Sequence, residues 1–249
     1  MPLSPERRRF VGSALALGAT PTLSSLAAPA LAADWPVRPI RLVVGVAAGG
    51  LADAMSRAYA AYLSTRLGQQ MIVEMKPGAG SIIACQEVAR APADGYTLLY
   101  TISTAYVQNT VLYSKLPYDP DKDFSYISVL NAGSLPLCID AKIPATNFRE
   151  FMAWAKGREI TMGTYAAGSF PHMIAARMNK LYGMKVTAVH YRGEAQMWQD
   201  VAGGVVTLAL GSYQGVSPRL QSNSVRPIAA FGPRRMSKLP DVATLEEQG

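Results

Sequence analysis

The stretch Pro39-Ile40-Arg41-Leu42-Val43-Val44-Gly45-Val46-Ala47-Ala48-Gly49-Gly50-Leu51-Ala52-Asp53 decides the fold class. Ile40 to Val46 is an apolar run broken only by Arg41, and its length and β-branched content read as a buried strand. Gly49-Gly50 makes a loop. From Asp53 onward the apolar residues Met55, Tyr59, Tyr62 and Leu63 recur at helical spacing until Gly68 stops the helix. A strand, a glycine loop and a helix in that order form the opening of a parallel α/β sheet.

Outward from this unit the same grammar continues. Met71 to Glu74 reads as a strand, Lys76-Pro77-Gly78-Ala79-Gly80 as a turn, Ser81 to about Arg90 as an alanine-rich helix, and Tyr96 to Thr101 as a strand after the Ala93-Asp94-Gly95 turn. Leu116 to Phe124 is rich in proline and aspartate and reads as loop; two apolar stretches follow, Tyr126 to Leu130 and Leu135 to Ile139. Asn147 with Glu150 three positions on is a capping box that opens a helix over Phe151, Met152 and Trp154. Three further alternations come next: strand Ile160 to Thr164 with helix Pro171 to Tyr182, strand Lys185 to His190 with helix Glu194 to Ala202, and strand Val205 to Leu210 with a short helix near Val216 to Leu220. Arg226 to Phe231 is a last strand. Such alternation predicts parallel or mixed sheets flanked by helices.

At the other end, Arg7, Arg8 and Arg9 precede an apolar run from Phe10 to Leu17, the pattern of a cleavable export signal. Ala30-Leu31-Ala32 supplies the small-residue cleavage pattern, so residues 1–32 are expected to leave and the folded protein to start near Asp34. The order Arg7-Arg8-Arg9-Phe10-Val11 also fits twin-arginine export, alongside the general route. Removal of the leader leaves 217 of 249 residues and, with its three arginines and Glu6 gone, lowers the net charge from +7 to +5. No later run approaches the roughly 18 apolar residues of a membrane span. The basic residues are scattered, with no stripe and no aromatic platform, which argues against nucleic acid as a partner. Cys85 and Cys138 lie far apart in sequence and read as buried thiols, although the compartment would permit a disulfide.

In parallel sheets a ligand binds beyond the carboxyl ends of the strands, where backbone N–H groups and helix starts face a crevice. The loop Val46, Ala47, Ala48, Gly49, Gly50, Leu51, Ala52, Asp53 is the first candidate for an anion, with Asp53 itself read as a helix cap. The opposing candidates are Thr164-Tyr165-Ala166-Ala167-Gly168-Ser169 and Tyr191-Arg192-Gly193, where Arg192 is either a ligand contact or a solvated surface charge. His172 and His190 have no acidic or cysteine partner at metal-ligand spacing and read as structural; no metal or cofactor is expected. Neither Ala167-Gly168-Ser169 nor Gly211-Ser212-Tyr213-Gln214-Gly215 matches a nucleophile elbow, and no dinucleotide loop follows the first strand. The reading is therefore of binding rather than catalysis. A hydrolase using Ser169 or Ser212, or a relic that binds nothing, are the competing readings.

With those residues on the page, the sequence resembles the periplasmic receptors of tripartite tricarboxylate transporters, also called Bug proteins. The likeness rests on Pro39-Ile40-Arg41-Leu42-Val43-Val44 leading to Gly49-Gly50 and Asp53, on Pro77-Gly78-Ala79-Gly80, Asp94-Gly95-Tyr96-Thr97-Leu98-Leu99 and Leu116-Pro117-Tyr118-Asp119-Pro120. It continues through Gly168-Ser169 with His172, Tyr191-Arg192-Gly193, Gly203-Gly204-Val205 and Leu239-Pro240-Asp241-Val242. The resemblance implies an α/β type II periplasmic-binding-protein fold: two lobes, each with a central mostly parallel sheet flanked by helices, that close over a solute by hinge motion. The expected division is 33–133 with 225–249 as the first lobe and 134–224 as the second, with hinges near Leu130 to Leu137 and Asn223 to Pro227. The implied partners are a small carboxylated solute and membrane transporter subunits, with the receptor a monomer. The implied binding set is Val46, Ala47, Gly49, Gly50, Ala52, Asp53, Ser103, Thr104, Ala167, Gly168, Ser169, His172, Tyr191, Arg192, Gly211 and Ser212. This chain departs from the family at Val46 and Ala48, where an aromatic and a proline are usual, at Ala52 in place of a small polar residue, and at Ser81-Ile82-Ile83 in place of a Gly-Asn pair. Family members also run well past the motif that closes at Gly249, which predicts a truncated first lobe with exposed apolar surface.

Overall fold

Arg41 sits in an apolar strand because its guanidinium leaves the sheet for two carboxylates, bonding Glu74 at 2.8 and 2.9 Å and Glu87 at 2.6 Å. That pairing joins the strand Ile40–Val44 (β1), its neighbour Met71–Met75 (β2) and the helix Ile82–Ala89 (α2). The computed structural model describes residues 35–130 and 133–249; the leader and its cleavage point fall outside them.

β1 lies between β2 and Thr97–Tyr100 (β3), parallel to both, with Val43 paired to Glu74 on one side and to Leu99 on the other. A central parallel strand is covered on both faces, which is why Ile40, Val43 and Val44 are fully buried. The helix Leu51–Leu67 (α1) crosses from β1 to β2 and ends at Gly68, whose left-handed backbone (φ 65°) lets the chain turn back. A short helix, Gln108–Leu112 (α3), follows β3.

The second sheet has five strands: Leu135–Asp140 (β4), Glu159–Thr164 (β5), Lys185–His190 (β6), Leu208–Leu210 (β7) and Val225–Phe231 (β8), in the order β6-β5-β7-β4-β8. β5 runs parallel to β6 and β7, whereas β4 is antiparallel to β7 and β8. The helices Phe148–Ala155 (α4), Phe170–Tyr182 (α5), Glu194–Ala202 (α6) and Tyr213–Gln221 (α7) make the connections. Phe151, Ile160, Met162 and Leu208 form one apolar layer on this sheet, and Met197, Trp198, Val201 and Val216 form another. The Asn147 side chain caps α4 by accepting from the Glu150 N–H at 2.9 Å, while the Glu150 carboxylate reaches back to Thr146 rather than to Asn147 itself.

Three expectations need correction. Residues 225–249 do not return to the first sheet. β8 pairs with β4 along its length, and the tail stays beside it, with Gln248 bonding the Ile228 carbonyl and the Phe148 N–H. Asn223 to Pro227 is therefore no crossing between sheets; the chain passes from the first sheet to the second only between β3 and β4 among the described residues. The apolar stretch Tyr126 to Leu130 lies outside both sheets, with Ile127 (81 %) and Val129 (89 %) exposed. The strand expected from Val205 starts only at Leu208, because Val205 and Val206 both donate their N–H to the Asp200 carbonyl and hold the chain in a turn.

Cys85 and Cys138 are free, buried and in different sheets' layers. No helix among the described residues is long and apolar enough to cross a membrane.

Candidate functional site

The loops at the carboxyl ends of β1, β2, β5 and β6 meet around one cavity of about 180 Å³, lined by residues 45–46, 78–81, 165–167 and 190–192. The first two segments belong to the first sheet and the other two to the second. A hydrogen bond ties them at the rim, from the Ala47 N–H to the Arg192 carbonyl at 3.0 Å. A larger recess of about 460 Å³ between residues 233 and 247 is a surface feature beside an Arg235–Glu247 ion pair, formed by the loop after β8 and the tail without any residue of the first sheet.

Small residues let the loops come this close. Gly45 has Thr101 and Ser81 against its Cα, and a side chain there would collide with both. Gly80 adopts a left-handed conformation (φ 61°) with the Asn109 side chain and the Ala167 carbonyl beside it. Ser81, also at positive φ, donates its hydroxyl to the Gly45 carbonyl at 2.9 Å and so fixes the two first-sheet loops to each other.

What the cavity offers a ligand is positive. The backbone N–H groups of Val46, Gly78, Ala79, Tyr165, Ala166, Ala167 and Arg192 have no hydrogen-bond partner among the described residues, and the exposed Arg192 guanidinium has no acidic partner there. Buried N–H groups seek acceptors, and an arginine fork matches a carboxylate. His190 also lines the wall. Its Nδ1 lies 2.7 Å from the Thr164 hydroxyl, and burial together with the nearby His172 keeps its pKa below the ordinary imidazole value. His172 accepts the Gly168 N–H on Nδ1 at 3.0 Å, which leaves its proton on Nε2, and its ring stands edge-on to His190 at 4.5 Å.

Of the residues singled out from sequence, Val46, Ala167, Tyr191 and Arg192 line the cavity. Ala47 is at its rim. Three other amides proposed to hold an anion are already engaged: Gly49 donates to the Asp53 carboxylate at 2.9 Å, Gly168 to His172, and Ser169 to the Ala166 carbonyl at 3.2 Å. Asp53 thus caps its own loop and also pairs with Arg57. Gly50 packs on Glu194, and Ala52 belongs to α1. Thr104 is buried with its methyl near Gly80 and Gly168, while the neighbouring Ser103 is exposed; neither lines the cavity.

Ser169 is fully buried and donates its hydroxyl to the Ala166 carbonyl at 2.6 Å rather than to a base. Gly211 and Ser212 also lie off the cavity. The Ser212 amide donates to both oxygens of Glu194 at 3.1 Å, and its hydroxyl bonds the same carboxyl while capping α7 through the Gly215 N–H. Burial raises the Glu194 pKa, the Ser212 bonds pull it the other way, and the raised direction prevails. Among the described residues no group of three metal-ligating side chains stands together.

Tyr165 and Ala166 of the candidate loop also line the cavity, whereas sequence reasoning passed over Gly45, Gly78 to Ser81 and Glu194. The glycine pair in Gly78-Ala79-Gly80 was the available signal for the second loop; Glu194 gave none, since its partner Ser212 is 18 residues away.

Residues 55–249 match the family described as tripartite tricarboxylate transporter family receptor. A UPF0065 protein of Bordetella bronchiseptica is 35% identical over 237 residues, covering 95% of this chain and 71% of that protein. A Rhodopseudomonas palustris protein solved with adipate superposes with a TM-score of 0.83, with 31% identity over 86% of this chain and 73% of its own. MatC of the same organism, solved with bound malate, gives 0.79 and 28% identity over 86% of this chain and 74% of its own.

Proposed function

Because the chain belongs to the tripartite tricarboxylate transporter receptor family, we propose that it is exported to the periplasm, captures a small carboxylate-bearing solute between its two sheets and delivers it to membrane transporter subunits. The observation that carries the reading is the set of unpartnered donors at one cavity, among them the N–H groups of Val46, Ala167 and Arg192, with the Arg192 guanidinium. Three amides and a bidentate cation suit a carboxylate without any reactive side chain. Solved relatives that carry adipate and malate support the ligand class.

Capture works by closure. Val46 and Gly80 come from the first sheet and Ala167 and Arg192 from the second, so a solute that bonds to both sides favours the closed arrangement by its difference in affinity for the two states. The segment between β3 and β4 is the hinge, and the lobes are the parts on either side of it. The chemistry is binding, with no turnover.

A thermal-shift panel tests this. Short mono-, di- and tricarboxylates are compared with their primary amides at equal concentration. At least one acid is expected to raise the melting temperature while its amide does not. No shift from any acid, or equal shifts from acids and amides, contradicts the proposal.

A further inference from the structure

Two places in the cleft region have the donors to hold a carboxylate, and one of them is already filled by the protein. The start of α7 presents the Ser212 amide and hydroxyl, and the carboxyl of Glu194 takes both. Gly50 from the first sheet and Gly211 beside Ser212 pack against the Glu194 side chain, so no larger group fits there while Glu194 stays. The remaining place is the cavity with Val46, Ala167 and Arg192.

Glu194 is also felt at the cavity wall. Tyr165 lines the cavity, and its phenol is pushed up first by burial and then by the charge of Glu194. An anion at the far end of a solute would meet the Glu194 carboxyl with the Ser212 amide and hydroxyl already taken by it, and like charges at short range in a poorly solvated site are strongly disfavoured. The space points the same way. About 180 Å³ holds on the order of six water volumes, room for a short acid.

Resting on the proposed receptor function, we infer that Glu194 is a specificity-determining residue: it occupies the second anion position from within, so this receptor selects solutes with a single carboxylate and a neutral or cationic remainder. The chain would then differ from its relatives solved with adipate and malate.

Calorimetric titration with propionate, lactate and alanine against malate and adipate, on wild type and Glu194→Gln, tests the inference. At least one of the first three is expected to bind wild type at least about tenfold tighter than either dicarboxylate. Glu194→Gln keeps the shape and removes the charge, and is expected to narrow that ratio by several fold. A merely structural role would weaken all ligands alike and leave the ratio unmoved. Malate or adipate binding wild type as tightly as the single acids, or an unchanged ratio in the variant, overturns the inference while leaving the receptor reading intact. Failure of all five, repeated across a wider carboxylate panel, overturns both. The wild-type ratio decides the matter even if the variant does not fold.

Discussion

The Ala47 amide donates to the Arg192 carbonyl at 3.0 Å, and this bond holds the loop after β1 against the loop after β6. It engages the Ala47 N–H and the Arg192 carbonyl and leaves the Arg192 N–H without a partner among the described residues.

Replacing Arg192 with alanine keeps the rim bond, which is backbone to backbone, and removes the cation. Hydrogen bonds to a charged group contribute about 1.5–3 kcal/mol, so carboxylate affinity is expected to fall at least about tenfold with the melting temperature of the free protein nearly unchanged. Titration of both proteins checks this; equal affinity removes Arg192 from the site.

Glu194 makes stability depend on pH. Its folded pKa lies above the ordinary 4.5, so the native state holds the proton more tightly than the unfolded chain. Below 4.5 both states are protonated and the group costs nothing; above it the unfolded chain ionises first, and stability falls until the folded pKa is passed. Melting curves from pH 4 upward are expected to show this decline in wild type and a flatter profile in Glu194→Gln. Parallel profiles would mean that the carboxyl ionises freely in the fold.

The two thiols are predicted to be inert. Burial pushes Cys85 up to about 11 and Cys138 higher still, so little thiolate forms near neutral pH and little of either sulfur is reachable. Alkylation at pH 8 is expected to modify neither residue in the native protein and both in denaturant. Rapid native labelling of either one contradicts the packing described for it.

Phe151 is fully buried in the main layer of the second sheet. Its truncation to alanine is expected to cost about 3–5 kcal/mol, measured by urea denaturation with the slope unchanged. A loss under about 1 kcal/mol would place the ring at a yielding site.

Much of the architecture was legible because it depends on local pattern. The Ile40–Val44 strand, the Gly68 stop and the Asn147 cap each follow from a few adjacent residues, and the α/β alternation sums them. Arg41 was legible only as an interruption, since its partners Glu74 and Glu87 come from 33 and 46 residues away. The destination of β8 was missed for a similar reason: an apolar strand carries no mark of which edge it will join. At the site, the glycine loops announced that backbone would approach a ligand, but not which amides would be free. Asp53 takes Gly49 and His172 takes Gly168, and those short-range bonds leave Val46, Ala167 and Arg192 among the open donors instead.

The central claim is that these three amides face the solute. Residue-resolved amide hydrogen exchange, with and without a saturating amount of the carboxylate that binds tightest, tests it most directly. Exchange at Val46, Ala167 and Arg192 is predicted to slow by at least about tenfold on binding, with smaller changes at Gly49 and Gly168. Protection confined to Gly49 and Gly168, or no protection at any of the five while the solute is bound, would contradict the account.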